Sequence, residues 1–128
     1  MPKTKTTPYA LLLRPDETFQ VLDWPASGHL KALYQAIDCQ TVAAVDLTAK
    51  LTMWLDDEGI INGAPFNVAA TRLYGMYRPL HQRYYGTAVL TGGPDRHGDT
   101  RGLTEDQLCE LIERHLSGGA TVPVQRTR

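Results

Sequence analysis

Apolar positions along the chain fall into short alternating runs and two helical faces. Tyr9 to Arg14 is a brief apolar run, Pro15-Asp16-Glu17 breaks it, and Phe19 to Trp24 resumes it. Two runs of strand length around a tight polar break predict a β-hairpin, which Pro25 ends. Leu30, Leu33, Tyr34 and Ile37 then recur at i, i+3, i+4 and i+7, with Lys31 and Gln35 on the opposite side. That spacing predicts an amphipathic helix, with Ser27 as its N-cap and His29 on the surface of its first turn. From Gln40 the period shortens. Thr41, Val42, Val45 and Leu47, then Leu51, Met53 and Leu55, predict a second hairpin turning through Thr48-Ala49-Lys50.

Asp56-Asp57-Glu58-Gly59 closes that strand as an acidic turn, Ile60-Ile61 reads as a very short strand, and Asn62-Gly63 turns again. Asn67 is placed to cap a short helix ending at Tyr74, with Gly75 as its stop. Met76 to Arg83 reads as irregular and basic. Tyr84 to Thr91 carries apolar residues on both faces, the pattern of a strand buried on both sides. A polar loop, Gly92 to Gly102, precedes Thr104-Glu105-Asp106-Gln107, a capping box beside the apolar pair Leu103 and Leu108. Leu108, Leu111, Ile112, His115 and Leu116 mark one face of the last helix, which Gly118-Gly119 would end.

The predicted architecture is α+β: one mixed sheet of about five strands, two hairpins plus a central strand, packed by two or three helices. Its element order is that of β-grasp folds, and a generic α/β two-layer sandwich is the alternative. The domain is expected over residues 9–118, between a flexible arm at 1–8 and a flexible tail at 119–128.

Composition narrows the class. With 42% hydrophobic and 21% charged residues, the 128-residue chain suits one soluble domain. A formal net charge of −1 excludes a strongly basic nucleic-acid coat and a strongly acidic DNA mimic. Cys39 and Cys109 are too few for a disulfide framework or a zinc site, and no apolar run is long enough for a leader or a membrane span. A cytoplasmic location, with no membrane partner, is the expectation. Oligomeric state stays open.

Two blocks carry a family likeness. The first is Trp54-Leu55-Asp56-Asp57-Glu58-Gly59, with Asn62-Gly63, Pro65, Asn67, Ala70-Thr71 and Leu73-Tyr74-Gly75. The second is Tyr85-Gly86-Thr87-Ala88-Val89-Leu90-Thr91-Gly92-Gly93, with Asp95, Gly98-Asp99-Thr100 and Gly102-Leu103-Thr104. Together they resemble a family known as domain of unknown function 3846, over residues 20–107. Its acidic turn reads Asp-Glu-Glu-Gly where this chain has Asp-Asp-Glu-Gly. The family occurs in bacteria, phages and plasmids, so the resemblance implies an accessory protein of a mobile element. It implies no activity and no site residues.

Candidate chemistry concentrates after residue 71. Residues 72–101 hold five arginines against two acids, whereas residues 1–71 hold five basic and eight acidic groups. Arg72, Arg78 and Arg83 interleave with Tyr74, Tyr77, Tyr84 and Tyr85, and His81 lies among them. Arginine forks grip phosphates and tyrosines stack on bases. The competing reading makes the tyrosines core and the arginines surface stems. The loop bearing Asp95, Arg96, His97, Asp99 and Arg101 lies between a central strand and a helix start. Its glycines permit close backbone approach and its amides suit an anion, although it lacks the Gly-Lys-Ser/Thr of a phosphate loop.

Catalysis has little to stand on. Ser27 and Ser117 sit at a helix cap and a helix end, and neither cysteine has a basic neighbour in sequence. His97 with Asp95 or Asp99 is an acid–base pair within a single loop. The three adjacent acids lack calcium-loop spacing, and no His-x-x-x-His pair joins His29, His81, His97 and His115. No metal, cofactor or catalytic residue is assigned, and the enzyme question stays open, leaning to no. The sequence therefore points to a non-enzymatic binding protein with a host or element-encoded protein partner, in counter-defence or regulation. The alternative is a nucleotide or small-anion binder built on the 92–102 loop with Arg72, Arg78 and Arg83.

Overall fold

The computed structural model describes residues 7–25, 27–79 and 82–116. The arm at 1–6, His81, and the tail with its Gly118-Gly119 stop lie outside the described residues. Five strands form a single sheet: β1 (Tyr9–Leu13), β2 (Phe19–Asp23), β3 (Val42–Thr48), β4 (Leu51–Asp56) and β5 (Ala88–Thr91). Three helices accompany them: α1 (His29–Ile37), α2 (Val68–Tyr77) and α3 (Glu105–Leu111), the last continuing into a π-helical turn at Ile112–Leu116. The strand order is β2-β1-β5-β4-β3, so β5 is inserted between the two hairpins. Every pairing is antiparallel, so the α+β class holds and the sheet is pure rather than mixed.

Strand alternation divides the core in two. Leu11, Leu13, Met53, Leu55, Ala88 and Leu90 face α2 and α3, where they meet Ala70, Leu73, Tyr74, Leu108 and Leu111. Ala10, Leu12 and Val89 face α1 and meet Leu33 and Ile37, with Trp54 packed alongside. All four residues of β5 are buried, as its two-sided apolar pattern required. Thr91 is the polar member. Its hydroxyl accepts from Trp54 Nε1 at 2.8 Å and donates to the Gly92 carbonyl at 2.9 Å.

The helix ends show where local signals held. Around α3 the capping box is complete: Thr104 Oγ1 accepts from Gln107 N at 3.1 Å, and Gln107 Oε1 accepts from Thr104 N at 3.0 Å. Leu103 and Leu108 are both buried beside it. For α1 the expected Ser27 cap is displaced by one residue. Gly28 occupies the cap position with φ 71° and makes no side-chain cap bond. Trp24 stacks on His29 at 5.1 Å between ring centroids, and the chain reaches the helix through a backbone shape that glycine adopts freely.

In α2, Gly75 does not stop the helix, which runs on to Tyr77. The stop is Arg78, extended at φ −142° and ψ 158°, because the following Pro79 crowds its predecessor out of the helical region. At the other end, Asn67 does more than cap. Its Oδ1 accepts from Ala70 N at 2.9 Å. Its Nδ2 donates to Leu13 O at 3.1 Å and to Gly86 O at 2.7 Å. One fully buried side chain thus ties α2, β1 and the segment leading into β5 together. Ile60-Ile61 is not a strand but part of a turn spanning residues 57–63.

Candidate functional site

Three of the arginines proposed from sequence meet three different groups of this chain. Arg72, exposed on α2, lies 3.7 Å from Glu17 Oε1. Arg78 sends Nε to the Asp46 carbonyl on β3 at 2.9 Å. Arg83 sets its guanidinium 5.7 Å from the Phe66 ring centroid. Arg96 and His97 are exposed in the turn of the 92–102 loop, and Arg101 is exposed at its return. Each of the first three arginines answers a different group of this chain. The tyrosines are largely structural. Tyr74 and Tyr84 are buried with ring centroids 5.1 Å apart, and Tyr77 packs on the same core. Burial first, and Tyr74 beside it, push the Tyr84 hydroxyl up to about 12. It stays protonated at neutral pH, and its ring is not free to stack on a base.

The 92–102 loop is a small closed hairpin. Pro94 and Thr100 form an antiparallel bridge, and Asp95 N donates to Asp99 O at 2.8 Å. Asp95 Oδ1 accepts from the amides of His97 at 2.8 Å and Asp99 at 3.0 Å. Those bonds, the His97 amide foremost, hold the Asp95 carboxyl below its ordinary value. The carboxylate therefore occupies the donors that an anion would need. The glycines serve packing. A Cβ on Gly93 would strike the Ala49 carbonyl in the β3–β4 turn, and one on Gly102 would strike Thr7 O, Tyr9 O and Trp24 Cδ1. Trp24 Nε1 also donates to Thr100 O at 3.2 Å, fastening the loop to β2's end. A cavity of about 450 Å³ does lie beside the loop, and Lys50 and Arg101 line it, but so do Asp106 and Glu110. The balance of charge there does not select an anion.

The other opening has a different character. A cleft of about 440 Å³ runs between the turn after β4 and residues 82–85. Ala43, Val45 and Leu55 form its floor, Asp57, Glu58, Ile60 and Ile61 one wall, and Arg83 and Tyr85 the other. Ile60 is 72% exposed and Ile61 83%, with Phe66 at 39% nearby. Phe66 and Tyr85 are bridged through their backbones, their rings tilted at 56° with centroids 5.8 Å apart. Asp56 holds the turn: its carboxylate accepts from Glu58 N at 2.9 Å and Asn62 Nδ2 at 3.2 Å. Asp57 and Glu58 beside it are both exposed. Asn67 secures the far wall through Gly86.

Of the sequence candidates, this cleft takes in Arg83 and the edge of Tyr84. Ile60, Ile61, Tyr85 and the carboxylates of the turn complete it. The signal for them was present: an Ile-Ile pair between Gly59 and Asn62-Gly63 is apolar sequence in turn company. Its alternation with glycine and asparagine suggested a strand, but only the folded chain shows both side chains outward.

Catalytic groups are sparse on either opening. Cys39 and Cys109 are free thiols. Burial, then the nearby Asp56 carboxylate, pushes the Cys39 thiol up, the opposite of an activated nucleophile. Among the described residues, no three His, Cys, Asp or Glu side chains converge as metal ligands, and no helix is long and apolar enough to cross a membrane.

Fold and cleft together define a small α+β domain whose apolar, acid-rimmed groove lies at one end of an open antiparallel sheet. Residues 6–116 match the family described as Domain of unknown function (DUF3846), and the chain belongs to that family. No curated protein and no solved structure matches the chain.

Proposed function

We propose that this chain is a non-enzymatic binding protein, an accessory product of a mobile element, and that it acts by engaging a protein partner through the cleft between residues 56–61 and 82–85. The observation that carries this reading is the pair Ile60 and Ile61, both mostly exposed beside an apolar floor. Adjacent large apolar side chains on a water-facing turn cost solubility, and a contiguous patch of this kind with a polar rim marks an interaction surface. The rim here is charged, with Asp57 and Glu58 on one side and Arg83 on the other. The mobile-element setting that the family resemblance implies supports a regulatory or counter-defence role.

The competing reading is a nucleotide or small-anion binder on the 92–102 loop. It is weakened by the Asp95 carboxylate, which already satisfies the His97 and Asp99 amides.

The test pairs two double variants in affinity purification from the native host. Ile60→Asp/Ile61→Asp is expected to fold normally and to lose the co-purifying partner, while Arg96→Ala/His97→Ala keeps it. Loss of the partner only with the loop variant overturns the assignment. So does strong thermal stabilisation by a nucleotide that the loop variant abolishes, since a ligand of the native state raises its melting temperature.

A further inference from the structure

The cleft opens onto a free sheet edge. β3 is the last strand in the order, and among the described residues β4 is its sole neighbour in the sheet. Its register decides which backbone groups face outward. Asp57 N donates to Thr41 O at 3.1 Å, so Thr41 and, by antiparallel alternation, Ala43 and Val45 turn their N–H and C=O toward β4. Val42, Ala44 and Asp46 turn theirs away. The Asp46 carbonyl confirms the outward set by accepting Arg78 Nε. The two halves of this edge differ. The C-terminal half carries the Asp46 charge, the Arg78 cover and a register shift between Asp46 and Thr48, all devices that discourage strand addition. The N-terminal half, Val42-Ala43-Ala44-Val45, has no charge, no proline and no bulge.

Charge at that half has one sign. Asp57 and Glu58 follow β4 directly opposite the start of β3, since Val42 pairs with Asp56. Asp57 and Glu58 thus stand at the open end of β3, against Arg83 on the far wall of the cleft, which already sits on Phe66. Side chains of Ala43 and Val45 form the cleft floor, so a strand added to β3 would lay every second residue into the groove.

We propose that the Val42–Val45 edge of β3 receives an extended segment of the partner by strand addition, with apolar residues of that segment in the cleft and basic residues at its end meeting Asp57 and Glu58 on the cleft wall. The proposal deepens the reading of the cleft as the recognition surface and rests on it. Main-chain bonds to Val42 and Ala44 supply the affinity, and the apolar residues in the cleft with the basic residues at the segment's end supply the choice of partner. A segment of the same shape with acidic residues is repelled at the corner.

The experiment uses the full chain and a short synthetic peptide alternating valine and threonine with lysines at both ends, with the same peptide ending in glutamates as control, followed by amide exchange and chemical-shift mapping. The expected result is slowed exchange at the Val42 and Ala44 amides with the lysine peptide, and affinity for the glutamate peptide weaker by about tenfold or more. Ala44→Pro removes an outward amide and leaves the β4 ladder intact, a substitution an edge strand tolerates. It is expected to abolish binding, and Asp57→Lys/Glu58→Lys to weaken it by about tenfold, each with an unchanged near-ultraviolet spectrum.

Binding that leaves the Val42 and Ala44 amides unprotected, or that survives in folded Ala44→Pro, overturns strand addition while the cleft stands as a surface. Equal binding of both peptides overturns the charge assignment. Protection of the same amides that rises with protein concentration alone assigns the edge to a second copy of this chain and overturns the peptide partner. No binding by either peptide overturns the proposal, whereas the cleft reading fails separately, on the Ile60→Asp/Ile61→Asp comparison.

Discussion

Two polar, glycine-bearing turns frame this molecule, and they spend their groups in opposite ways. The 92–102 loop turns inward. Its one well-placed carboxylate, Asp95, bonds to its own amides, and its flanking glycines let the backbone pack against β1 and the β3–β4 turn. The 56–63 turn is held by Asp56 in a similar manner but sends Asp57, Glu58, Ile60 and Ile61 outward. The contrast shows why motif density is a poor guide to a site. Charged residues and glycines cluster wherever the backbone bends sharply, and what distinguishes a binding turn is the set of groups left over after the bend has been satisfied.

The comparison can be broken most forcefully at Gly102. Gly102→Ala puts a methyl group against Thr7 O, Tyr9 O and Trp24, and it is expected to cost about 3 kcal/mol in denaturant unfolding. Parent-like stability would show that the loop is not packed as a structural element. Asn67→Ala comes next. It strips a helix cap and leaves Leu13 O and Gly86 O without their donor, for an expected loss of about 2 kcal/mol. Because Asn67 secures the segment before β5, larger shift changes are expected at residues 83–86 than at 95–99 in the spectrum of that variant.

The cleft side and the 92–102 loop also differ in their response to pH. Tyr84, on the cleft side, has its folded value raised from 10 to about 12 by burial. The unfolded phenol ionises first, so this contribution is complete below pH 10 and fades as the pH rises toward 12. Tyr84→Phe is expected to give a shallower alkaline decline. Asp95 behaves in the reverse sense. Its folded value lies below the ordinary 3.8, so its contribution holds above that pH and is lost as the pH falls through the depressed value. In Asp95→Asn, exchange at the His97 and Asp99 amides should lose its acid dependence, since an asparagine oxygen accepts the same bonds without titrating. The smallest effect on stability is expected at Ile60→Ser/Ile61→Ser, within about 0.5 kcal/mol, because both side chains are already in water. A clear destabilisation there would mean that these residues serve the fold, and the outward character of the turn would be lost as an argument.

Local chemistry in the sequence determined a good deal. The two hairpins, the Asn67 and Thr104 caps, the two-sided burial of β5 and the apolar face of α1 through Leu33 and Ile37 all follow from neighbours a few residues apart. So does membership of the family. The mistaken helix stop at Gly75 was local too: Pro79 already announced where α2 must end.

Only the tertiary structure decided the rest. The insertion of β5 between β1 and β4 brings Thr91 to Trp54 and makes β3 an edge. The meeting of Gly93 with Ala49, and of Gly102 with Thr7 and Tyr9, gives the glycines of the 92–102 loop a packing role. The partners of Arg72, Arg78 and Arg83 are Glu17, the Asp46 carbonyl and the Phe66 ring, none of them a sequence neighbour. In each case the deciding contact joins residues far apart in the chain. Periodicity and capping report on one turn or one strand at a time, whereas strand order and exposure depend on which distant surfaces meet.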